Sequence, residues 1–333
     1  MALGVGVLVA VLLAAALRSV PDSIGALAHA EPGWLVAAAG AEALSYLFLG
    51  LHIQRLSGPG RRVSLRLGVG AGLVAFGLGN VLPGSPAPGF ALAGMELRRR
   101  GLPTRVVAMT MALSGWFLAA AFLAIAASVA LTATAQGRIP ERHETVLLAG
   151  SSFVLALLLA SVWLTVHPWP IERLALLLAR VRWRNERYAA ERGRAAGQHW
   201  HSDARQALGG PLNGQLVMVA AFGSWMADAG CLRLVLAAVG ADVDFDVLLM
   251  AYLFAVAVSC LPFLPGGIGA VEVAVPAVLH HYGVPLDQAI AGTVAWRALA
   301  LVAPAAGGAV TLAGLRLRAT HGVRPEAMAA ATE

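Results

Sequence analysis

Lysine does not occur in this chain; all 24 basic residues are arginine. That bias fits a GC-rich coding sequence and carries no chemistry of its own. Charge of either sign is scarce as well. Only 13% of the 333 residues are charged, against about a quarter in a soluble domain, and 59% are hydrophobic. This balance excludes an ordinary water-soluble fold and makes the bilayer the expected solvent. The net charge of +6 would suggest nucleic acid in a soluble protein. Here the positive-inside rule accounts for it, so nucleic acid is not an expected partner. Cys231 and Cys260 both fall in apolar segments and read as core packing rather than a disulfide. Also missing are GxSxG, Walker A, HExxH, paired CxxC and a GxGxxG after a strand. No catalytic residue, cofactor or metal is therefore expected. The segment QHWHSD, with His199 and Asp203, reads as a solvated cytoplasmic loop because no further ligands accompany it.

What the chain has is long apolar runs. A span needs about 20 mostly apolar residues, and six segments qualify: 2–20, 33–52, 104–133, 145–166, 211–239 and 286–316. The first run has no basic region before it and reads as a retained helix rather than a signal peptide. Two further apolar regions, 63–99 and 245–282, are interrupted by Pro and Gly. Trp34, Trp163 and Trp169 lie near span ends, where amphipathic rings favour the headgroup zone.

Arginine placement supplies orientation. Clusters follow the second span (Arg55, Arg61, Arg62, Arg66) and the first broken region (Arg98, Arg99, Arg100, Arg105), with more between Arg173 and Arg205 and in the tail. All should be cytoplasmic. The first broken region is thus flanked by arginine at both ends and reads as a re-entrant hairpin from inside. The second lies between ADVDFD and HHYGVPLD, so it should enter from outside. The expected fold class is an all-α polytopic membrane protein of about six full spans plus two re-entrant broken-helix hairpins in an inverted repeat. Both termini would be cytoplasmic and the location the plasma membrane.

The repeat has its own signature. A shift of 182 residues lays Leu82-Pro83-Gly84 on Leu264-Pro265-Gly266, Leu97 on Leu279, Gly101 on Gly283 and Pro103 on Pro285. The expected organisation is an N-terminal helix and outer loop (1–32), a first repeat (33–140) holding hairpin 63–99, a linking span with an Arg-rich segment (141–210), a second repeat (211–318) holding hairpin 245–282, and a tail (319–333). Inverted repeats with helices broken at corresponding positions point to a transporter's central site, since non-helical backbone at membrane depth survives only inside protein or beside a wet cavity.

Chemistry should gather at the breaks. In LPFLPGGIGAVE, Pro265, Gly266, Gly267 and Gly269 precede a half-helix whose N-terminal amides could hold an anion; Pro83, Gly84 and Ser85 offer the same in the first half. Glu272 reads either as a helix-start cap paired with arginine or as a cation, proton or amine site, with Arg297 its expected partner because an unpaired intramembrane charge costs at least about 2.5 kcal/mol. Asp228 and Glu42 are further intramembrane acids, Glu42 being equally explained as a polar interhelical contact. Arg233, five residues after Asp228, either faces the same cavity or snorkels outward. Segment 168–208 reads as an amphipathic cytoplasmic helix pair or a solvated basic loop.

LPFLPGGIGAVE with HHYGVPLDQAIAGTVAWR, and NVLPGSPAPGFALAGMELRRRGLP before them, resemble the two signatures of the lysylphosphatidylglycerol synthase transmembrane family, over about residues 5–318. The family pattern Pro-Gly-Gly-x-Gly-x-x-Glu falls on Pro265, Gly266, Gly267, Gly269 and Glu272, and its downstream arginine on Arg297. Ser85 departs from the pattern, standing where members often have a second glycine. The resemblance implies a flippase-like module without the aminoacyltransferase domain of longer members. It would move an anionic or aminoacylated phospholipid, or a polyprenyl-phosphate-linked lipid, between leaflets. The alternatives are a membrane-embedded transferase using a lipid-linked donor, and a scaffold for a separate lipid synthase or glycosyltransferase. A membrane lipid is the expected substrate; the oligomeric state is open.

Overall fold

The computed structural model describes residues 25–58, 63–82, 87–137, 186–260 and 265–321, with single helical positions at 152, 156 and 173. The expected spans 2–20 and 145–166 lie outside the described residues. No strand occurs among the described residues. Four helices are long and apolar enough to cross a bilayer, and two shorter apolar helices accompany them.

Helix α1 (Pro32–Leu56) starts on a proline and carries Arg55 in its last turn. Proline is well placed there because its missing N–H would have had no intrahelical partner. Ala38, Glu42, Ser45, Leu49, Ile53 and Leu56 form its buried stripe, at the three- and four-residue spacing of one helix face. The opposite face exposes Val36 at 73%, with Leu44 and Leu47. Apolar side chains on the outside suit a hydrocarbon solvent, which exacts no penalty for them. Helix α2 (Leu65–Gly72), capped by the Ser64 hydroxyl accepting from the Leu67 N–H, continues as a π-helical turn, Leu73–Leu78. Helix α3 (Ala87–Arg99) packs back on that turn.

The contact between α3 and the π turn is backbone on backbone. A side chain on Gly89 would overlap the Ala75 carbonyl oxygen, and Gly79 and Gly89 lie against one another. Only glycine permits such an approach. Helix α4 (Thr104–Ala135) follows, 32 residues long. Helix α5 (Glu186–Leu208) then takes in His199 and Asp203, so QHWHSD is helical rather than looped. Arg105 of α4 donates to the Asp203 carboxylate and to the His199 carbonyl, tying α5 to α4.

The second half begins with α6 (Pro211–Ala238) and α7 (Phe245–Ser259). A short 3-10 turn at Pro265–Gly267 leads to α8 (Val271–His281). Helix α9 (Leu286–Arg297) passes through a second π turn, Ala298–Val302, into α10 (Ala303–His321).

Two apolar cores result. Leu49, Val74, Ala93, Leu97, Val107 and Ala121 fill the first half. Leu232, Leu236, Leu248, Tyr252, Val271, Val275 and Leu279 fill the second. Helices α1 and α6 pack along their length and join the halves. There the Ser45 and Ser224 hydroxyls share a 3.3 Å hydrogen bond, and buried His52 bonds through Nδ1 to the Val217 carbonyl at 3.0 Å. Polar pairs of this kind hold helices together where water cannot compete.

Candidate functional site

The break after α7 is built on positive backbone angles. Gly266 has φ 57° and ψ 17°, and Gly267 and Gly269 have φ 66° and 86°. Residues with a Cβ pay to enter this left-handed region, which explains the glycine run. A side chain on Gly266 would press on the Asn80 carbonyl oxygen at 2.9 Å. Asn80 closes the first broken helix, so backbone from the two breaks meets here.

Glu272 lies in the first turn of α8. Its Oε2 accepts the Gly269 N–H at 2.7 Å, and its Oε1 accepts from Arg297 Nε at 2.9 Å. The pairing expected from sequence is therefore present. The carboxylate also occupies the positive end of the half-helix, where a negative charge is favoured. Its two oxygens serve the fold, as a cap and as an ion pair, and it does not line the adjoining cavity. Arg297 does line it. The second arm of this side chain donates to the Gly266 carbonyl at 2.6 Å, so one guanidinium pins the glycine turn from the carbonyl side while Glu272 holds it from the amide side.

The cavity has a volume of about 150 Å³. Helix α1 contributes Glu42, Ser45 and Tyr46; α6 contributes Trp225 and Asp228; α9 contributes Trp296 and Arg297. Phe76 and Asn80 enter from the first break, and Ser259 and Cys260 from the end of α7. Asp228 accepts from the Tyr252 hydroxyl at 2.9 Å and from Trp296 Nε1 at 3.0 Å. Glu42 is 7% exposed and lies within hydrogen-bonding reach of Asp228. Its Oε2 has no hydrogen-bond partner among the described residues.

Of the residues singled out from sequence, Glu42, Asp228 and Arg297 thus share one cavity wall. Pro265, Gly266, Gly267, Gly269 and Glu272 form the turn that holds Arg297. Pro83, Gly84 and Ser85 lie outside the described residues. Arg233 donates to the Val243 carbonyl, away from the cavity. Trp296 and Tyr252 were not anticipated, although each is a polar-tipped aromatic inside an apolar helix, and such tips seek a partner when buried. That signal was available.

The profile of the lysylphosphatidylglycerol synthase TM region matches residues 1–308. No curated protein is significantly similar to the chain.

Proposed function

The chain belongs to the lysylphosphatidylglycerol synthase transmembrane-region family, and from that premise we propose that it translocates a lipid between leaflets, passing the headgroup through the cavity around Arg297. The observation that carries this reading is a charged cavity walled by apolar helices, at the place where two helix breaks touch. Arg297 offers a fixed guanidinium to an anionic headgroup, the fork geometry that suits phosphate. Ligand sites for small molecules usually run from about 300 to 1,000 Å³. A cavity of about 150 Å³ holds several waters but no whole headgroup. Transit then requires the broken hairpins 63–99 and 245–282 to part, which is the alternating movement of repeat against repeat.

The element bounds support a repeat. Moved on by 182 residues, α1, α2, α3 and α4 fall within about three residues of α6, α7, α8 and α9. Packing exchanges in the same way: α10 lies on the first-half π turn, and α4 lies on α7. Each half therefore supports the other half's broken hairpin. With the arginine clusters inside, this favours opposite orientations for repeats 33–140 and 211–318, with six full spans, cytoplasmic termini and a place in the plasma membrane.

Two experiments test the reading. In liposomes carrying a panel of headgroup-labelled lipids, the wild-type protein should deliver one class to the far leaflet. Arg297→Ala and Glu272→Gln should abolish delivery at unchanged protein levels; normal delivery by both would remove the site assignment. For topology, an impermeant thiol reagent is applied to Arg99→Cys and Tyr282→Cys in a Cys260→Ala background. The two should label from opposite faces. Labelling from one face would sink the inverted arrangement.

A further inference from the structure

We infer that Glu42 and Asp228 form a proton-binding pair of carboxyl groups, with the proton carried on Glu42. Glu42 and Ser45 share one face of α1, as Ser224 and Asp228 share one face of α6. The Ser45–Ser224 hydrogen bond of 3.3 Å fixes the register of the two helices and brings both acids to one cavity wall.

The two acids are not equivalent. Indole N–H only donates, so the Trp296 contact requires Asp228 Oδ1 to be an acceptor. The Tyr252 hydroxyl donates to Oδ2. Arg297 adds its positive field to Asp228. All three mark Asp228 as the ionised partner. Glu42 has no such donors, and its Oε2 stands unpartnered at 7% exposure. Two bare carboxylates in contact inside hydrocarbon repel strongly. Arg297 is committed to Glu272 and the Gly266 carbonyl and cannot neutralise both.

A single positive charge is therefore required between the acids. A metal ion would need several oxygen ligands. Among the described residues no group of three or more His, Cys, Asp or Glu is placed to supply them. A proton needs no coordination shell, and it turns Glu42 into a donor to Asp228. The other titratable groups facing the pair are Tyr46 on α1, Cys231 on α6, Tyr252 on α7 and Cys260 at its end. None of them supplies a positive charge. This site is a property of the α1–α6 contact. It stands whether or not a lipid passes, and it would supply the coupling ion if one does.

The test uses the full chain in lipid nanodiscs and infrared spectroscopy. At neutral pH the wild-type protein should show a protonated-carboxyl C=O band that moves in D₂O. Glu42→Gln should lose that band, while Asp228→Asn should keep it at a changed frequency. Buried Glu96 could add a similar band, so all measurements are made in a Glu96→Gln background. If Glu42→Gln does not fold, ¹³C-glutamate labelling of the Glu96→Gln protein replaces it, and the band should shift. An unshifted band, or a band surviving in Glu42→Gln, overturns the assignment. So does loss of the band when sodium chloride replaces choline chloride, which would make the site a metal-cation site.

Discussion

The two breaks share a backbone plan and differ in charge. At the second, Glu272 and Arg297 bond across α8 and α9 at 2.9 Å. The positions 182 residues earlier hold Phe90 and Gly115. There Phe90 meets Phe76 edge to face at 5.1 Å, and a side chain on Gly115 would touch Phe90 at 4.0 Å. The same pair of helix faces therefore meets in both halves, once through an ion pair and once through an aromatic ring over a glycine. A broken helix in this fold does not need an ion pair to hold its shape. The charges of the second break answer to the cavity instead, and Glu42 and Asp228 stand on that same side of the symmetry, with Ser224 and Tyr46 as their counterparts.

The contrast can be broken from the charged side first. Arg297→Ala removes the partner of Glu272 and the clamp on Gly266, and should destabilise by about 3 kcal/mol. Glu272→Gln keeps part of the hydrogen bonding and should cost about 1.5 kcal/mol. Thermal unfolding in detergent ranks the two; equal losses would mean that the turn, and not the pair, responds. Next, Gly115→Arg places a lone charge in the first half, at a cost of at least about 2.5 kcal/mol. Adding Phe90→Glu should recover part of it, read as a rise in the unfolding midpoint over the single variant. No recovery would mean the two faces are not equivalent.

Smaller effects sharpen the picture. Gly89→Ala forces a methyl into the Ala75 carbonyl and should cost about 1–3 kcal/mol. Gly115→Ala, with open space around it, should stay within about 0.5 kcal/mol. The unfolding midpoints of the two variants test this directly, and a similar loss in both would contradict the close packing of the first hairpin. Smallest, Gly266→Ala must adopt a left-handed backbone and should cost about 1–2 kcal/mol, visible as a lower midpoint with the same spectrum.

Much of the helical layout was legible because hydrophobic length is a demand made by the solvent, not by neighbouring side chains. The segments 33–52, 104–133, 211–239 and 286–316 closely match α1, α4, α6 and the α9–α10 run. The Glu272–Arg297 pair was legible for a related reason: few charges are available inside the membrane, so partners are nearly forced. What sequence did not show depends on how helices meet. The hydrogen bonds from Trp296 and Tyr252 to Asp228 join α9, α7 and α6, and no spacing along one helix encodes them. The Gly269 bond that turns Glu272 into a cap depends on the fold of the turn. The π turns at Leu73–Leu78 and Ala298–Val302 have no compositional mark at all.

The apolar girdle on the outside of α1, α6 and α10, where Val36, Val219 and Val310 are widely exposed, sets a condition on any mutational survey. An arginine placed there costs about 2.5–3.5 kcal/mol at the insertion step, before the chain has folded. Such variants will score as inactive because they never enter the membrane, and only variants sorted for correct insertion report on the interior.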